Sequence, residues 1–95
     1  MFVILLKFTD KRDQSDPHLE GHKAWIARGF DDGVFLLVGS LASKVGGSIL
    51  AHNTTLEELE RRVSEDPFVA EAIVTSEILT IAPVRTDAKL DFLLA

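Results

Sequence analysis

Ninety-five residues, 46% of them apolar, with 15 acidic against 10 basic side chains and a net charge of −5, describe one domain able to bury a core. The acidic balance, with no Lys/Arg stripe interleaved with aromatics, argues against a nucleic-acid partner. The lack of cysteine removes disulfides and thiolate metal sites and fits a cytoplasmic protein, and no apolar run nears the roughly 20 residues that span a bilayer.

The opening run Phe2 to Phe8 is apolar with one Lys, the pattern of a buried first strand. It lacks the basic leader and cleavage site of a signal peptide. Thr9 to Ser15 reads as a loop, and Ser15-Asp16-Pro17 as a helix start in which Ser or Asp caps and Pro occupies the first turn. Leu19, His22, Ile26 and Phe30 then share one helical face, bordered by Trp25. Asp31-Asp32-Gly33 ends that helix.

Val34 to Val38 reads as a central strand, Gly39 to Gly47 as a long hairpin connection, and Ser48 to His52 as a third strand. Thr55 with Glu58 forms a capping box that opens a second helix, whose stripe is Leu56, Leu59 and Val63. Asp66-Pro67 stops it, because a residue before proline avoids the helical region. Phe68 to Val74 is either a short helical turn or a lead-in, and Ser76 to Pro83 is the last strand. Val84 to Ala95 is a charged, then apolar tail suited to docking.

The order β-α-β-β-α-β is the ferredoxin-like arrangement, an α+β fold with two helices on one face of a four-stranded antiparallel sheet. The other face then needs cover, which a homodimer supplies through the sheet face and the apolar tail.

Among chemistry-bearing residues, His22 stands on the apolar helix face. It is either a core-rim histidine satisfied by backbone or water, or a general acid/base in a pocket between helix and sheet. Asp66 is either a turn residue or the carboxylate partner of that imidazole. Ser40, at a strand end, could line the pocket although no nucleophile-elbow pattern surrounds it. Trp25 and Phe30 are core or interface residues or, with Phe35 from the strand, walls of the site. His18 and His22 lie four apart on one helix, but without a third ligand at a known spacing no metal is expected. His52 reads as a loop-side histidine, and Gly46-Gly47 as hairpin flexibility rather than a phosphate cradle.

His22, Gly33 and Gly39 at H-x10-G-x5-G spacing are followed by an amphipathic helix and Glu65-Asp66-Pro67-Phe68-Val69. With the closing strand ending near Ile81-Ala82-Pro83, this pattern resembles the YciI-like (YCII-related) proteins over residues 1–84. The resemblance implies a dimeric α+β barrel with a His–Asp catalytic pair, which by position is His22 and Asp66. Some members of that family look like lyases or isomerases of hydroxylated or chlorinated aromatics, working by proton transfer without a cofactor. Leu19 stands where the family often has Arg, and Ser40 where proline often follows the strand glycine. Residues 85–95 fall outside the match and form a separate tail. The expectation is a cytoplasmic lyase or isomerase acting on a small cyclic or aromatic molecule; the alternative is a dimeric module that binds a metabolite, or docks a partner, without turnover.

Overall fold

The computed structural model describes residues 1–94 and has the ferredoxin-like α+β fold. Four strands, β1 (Phe2–Phe8), β2 (Phe35–Ser40), β3 (Gly46–Ala51) and β4 (Val74–Thr80), form one antiparallel sheet in the order β2-β3-β1-β4. Helices α1 (Leu19–Asp31) and α2 (Leu56–Ser64), with the single-turn α3 (Pro67–Ala70), cover one face.

Register decides which side chains meet the helices. Ile4 lies opposite both Ile49 and Ile78, and these point into the core. One residue along, Val3 lies opposite Leu50 and Leu79 on the other face, because successive strand residues alternate. That face carries Val3, Leu5, Leu37, Leu50 and Leu79, of which Leu37 is 50% and Leu79 43% exposed. A bulge between Phe35 and Leu37 lets β2 keep Phe35 in the core while Leu37 turns outward.

The apolar face of α1 differs from its sequence reading. Trp25, placed at the border, is 1% exposed, whereas Phe30, placed on the stripe, is 41% exposed. The reason is Gly29. A Cβ there would stand 2.0 Å from the Phe35 ring, so Phe35 fills the space that a larger residue would take. Counting apolar side chains skips a glycine, and the stripe is displaced accordingly.

Other boundaries move for identifiable reasons. Short 3-10 turns at Arg12–Gln14 and Asp16–His18 precede α1, and Ser15 makes no side-chain cap. Its own backbone is helical (φ −73°, ψ −30°), and a capping residue needs an extended one. Gly46 and Gly47 belong to β3, which shortens the hairpin connection to residues 41–45, with Ser43 and Lys44 in left-handed conformations. The fourth strand begins at Val74 because it pairs along all of β1, from Phe8↔Val74 to Phe2↔Thr80. The capping box of α2 forms, with Glu58 N–H donating to Thr55 Oγ1 at 3.1 Å. The tail holds a 3-10 segment, Ala88–Leu94. Among the described residues, no helix is long and apolar enough to cross a membrane.

Candidate active site

Asp66 is held by local rules. Preceding Pro67, it adopts an extended backbone (φ −63°, ψ 123°), and its side chain caps α3. Pro67 fills the first helical position and has no N–H, so the first amide needing a cap is that of Phe68. Phe68 N–H donates to Asp66 Oδ1 at 3.0 Å.

Helix α1 brings His22 to the same oxygen. Gly21 allows the approach: a Cβ there would lie 3.1 Å from Pro67 Cγ, so α1 rests almost directly on α3. One residue on, His22 Nδ1 stands 2.7 Å from Asp66 Oδ1. Because Oδ1 already accepts the Phe68 amide, the proton of the His–Asp bond belongs to Nδ1, which donates. Nε2 bonds nothing among the described residues.

Burial differs sharply across the pair. The Asp66 side chain is fully buried while that of His22 is 15% exposed. Asp66 Oδ2 has no hydrogen-bond partner among the described residues. A buried, half-satisfied carboxylate is costly and persists only where its surroundings impose it; here both available donors converge on Oδ1 alone.

The imidazole lines an apolar hollow of about 60 Å³ between α1, α3 and the sheet, walled by Leu6, Phe8, Val38, Gly47 and Phe68. The hollow adjoins an open groove of about 370 Å³ that also includes His22 and reaches Ser40. Asp66 borders neither, so a bound molecule would meet the imidazole and not the carboxylate.

The structure thus brings His22, Asp66 and Ser40 to one end of the sheet. Trp25 and Phe35 do not wall the hollow or the groove. Their rings meet at 5.2 Å in the core, and Trp25 Nε1–H donates to Arg62 O at 2.9 Å. An aromatic side chain reads alike in sequence whether it lines a pocket or fills a core, and here the space left by Gly29 admits the Phe35 ring. Trp25 still touches the site indirectly, with its ring 6.1 Å from that of His22. Sequence reasoning assigned no role to Phe68, whose ring is stacked on the imidazole at 4.1 Å and 5°. His18 lies in the 3-10 turn before α1, and His52 beyond β3, where its ring meets Phe92 at 5.4 Å.

The sequence matches no known family profile and no curated protein. A search of solved structures gives a fold relative, the 5-chloro-2-hydroxyhydroquinone dehydrochlorinase from Burkholderia phenoliruptrix AC1100, solved in complex with 2,5-dihydroxybenzoquinone. It superposes with a TM-score of 0.71 at 13% identity, over 84% of this chain and 91% of that one. The likeness is one of fold.

Proposed function

We propose that this chain is a YciI-like lyase or isomerase acting on a small hydroxylated ring, with His22 as general acid/base and Asp66 as the residue that orients it. The observation that carries the reading is the 2.7 Å Nδ1–Oδ1 bond, which occupies Nδ1 and leaves Nε2 to act as the acid/base of a ring that lines an apolar hollow. Nε2 takes a proton from the substrate. The imidazolium so formed keeps its Nδ1–H on the buried carboxylate, which offsets the new charge. In an isomerisation the π bond shifts and the same proton returns to another ring position. In an elimination the electron pair of the broken bond to hydrogen forms a new π bond and expels the leaving group with its own bonding pair, and the proton follows it.

The hollow is smaller than the roughly 150 Å³ of a cavity that holds benzene. A ring-sized substrate therefore inserts one edge and leaves the rest in the groove toward Ser40. The fold relative is named for a chlorinated trihydroxybenzene and was solved with a dihydroxybenzoquinone bound, which favours flat oxygenated rings here too. The exposed face of Val3, Leu5, Leu37, Leu50 and Leu79 suits a second copy of this chain, with residues 85–95 as an added docking tail to the domain 1–84. We assign the protein to the cytoplasm on its composition.

The test is a thermal-shift screen of phenols, hydroquinones and hydroxyquinones, followed by turnover assays on those that bind. A true ligand at 100 times its dissociation constant stabilises the fold by about 2.7 kcal/mol. His22→Ala is expected to retain a native fold and to lose turnover by about 10²- to 10⁴-fold. Equal turnover by wild type and His22→Ala would remove the assignment.

A further inference from the structure

The residue best placed to control His22 is one that the proton-transfer scheme does not use. Phe68 makes three separate contacts with the site. Its ring lies parallel to the imidazole, with centroids 4.1 Å apart and planes inclined by 5°. Its amide N–H donates to Asp66 Oδ1 at 3.0 Å, the same atom that accepts from His22 Nδ1. Its side chain walls the hollow that the imidazole lines. Pro67 makes this convergence possible, because with no N–H at the first position of α3 the cap falls on the Phe68 amide.

The geometry points to Phe68 as a positioning residue for the acid/base pair: its ring sets the plane of the imidazole while its amide pins the carboxylate oxygen to which that imidazole bonds. This rests on the reading of His22 as the acid/base. Two restraints are needed because each leaves one freedom open. Stacking fixes the ring plane but tolerates a 180° flip about Cβ–Cγ that would put Cδ2 in place of Nδ1 and Cε1 in place of Nε2. The bond to Oδ1 rejects the flip but allows the ring to tilt. Together they leave one orientation of the ring. The clamp has its own anchor, since the Phe68 ring is 5% exposed and its centroid lies 6.4 Å from that of Phe8.

The test needs no substrate. Imidazole nitrogen and proton NMR spectra are recorded on the full-length wild type, Phe68→Leu and Phe68→Tyr. Both variants keep the amide at position 68, so only the ring changes. In the wild type, the stacked ring displaces the His22 carbon-bound protons upfield, and the Nδ1–H proton is hydrogen-bonded and slow to exchange with water. In Phe68→Leu the upfield displacement falls to the smaller part that the Trp25 ring at 6.1 Å contributes, and Nδ1–H exchange accelerates about two- to tenfold, the factor that corresponds to losing one aromatic contact. Phe68→Tyr restores both signals. A folded Phe68→Leu protein with unchanged Nδ1–H exchange overturns the proposal. So do wild-type His22 protons at their free-solution positions, a readout that holds even if the Leu variant fails to fold. Because the spectra are independent of turnover, the two failures are distinguishable: if His22→Ala turns over substrate as the wild type does while Nδ1–H stays well held, the acid/base reading falls and the Phe68 clamp on the His22–Asp66 pair remains only as a structural one.

Discussion

The two ends of the sheet each carry a histidine against an aromatic ring, and the contrast between them shows what makes one a candidate catalyst. At the Phe8 end, His22 stacks on Phe68 and donates to a fully buried carboxylate. At the Phe2 end, His52 meets the edge of Phe92 at 74°, and no ion pair to it forms among the described residues. It borders a polar, open cleft of about 420 Å³ with Asn53 and Thr54. An aromatic neighbour is common to both. Of the two, only His22 bonds a buried carboxylate and lines an apolar hollow.

The sharpest way to break that contrast is to delete each imidazole in turn. His22→Ala removes the proton carrier and is expected to lower turnover by about 10²- to 10⁴-fold; His52→Ala, assayed in parallel, is expected to leave it unchanged. Comparable losses in the two variants would erase the distinction between the ends.

Next in size is Asp66→Ala, read as stability. It deletes the α3 cap and strands the His22 Nδ1–H, at an expected cost of about 1–3 kcal/mol. At about 4–8 °C per kcal/mol for a domain of this size, calorimetry should find a clear fall in Tm. A Tm within a degree of wild type would mean that the orphaned Oδ2 already cancels what Oδ1 contributes.

Removal of residues 85–95 probes the other end. Val84 is 92% exposed, and Phe92 and Leu94 are 49% and 47% exposed, so the tail covers little core. Truncation is expected to weaken self-association in sedimentation runs while leaving ligand binding at the His22 hollow unaltered. Loss of that binding would tie the tail to the site. Smallest of all, His52→Ala should change stability by no more than about 0.5 kcal/mol by chemical denaturation, as for a surface position.

Much of this was legible in the chain because short-range chemistry carried it. Thr55 and Glu58 spelled out the start of α2, and the continuous apolar run 2–8 spelled out β1. His22 and Asp66 stood out as a polar residue on an apolar stripe and a carboxylate before proline. Asp66 turned out to fill both roles that its sequence allowed, capping residue and imidazole partner, because one oxygen accepts both bonds. What stayed hidden depends on close approach. Gly29 and Gly21 act through side chains they lack, one admitting the Phe35 ring and the other Pro67, and periodicity gives no weight to an absent side chain. The same blindness put Phe30 on the stripe and left Trp25 open between core and pocket wall; its ring meets that of Phe35 in the core. The place of Phe68 required knowing that α1 and α3 touch, a contact between positions far apart in the chain.

The most direct test of the His22–Asp66 unit is a double-mutant comparison of turnover on a ligand found in the screen. His22→Ala, Asp66→Ala and the combined variant are assayed together. Groups acting as one machine lose their function once, so the combined variant should be no slower than His22→Ala alone. If the two single losses multiply in the combined variant, the residues act independently and the orienting role given to Asp66 is wrong.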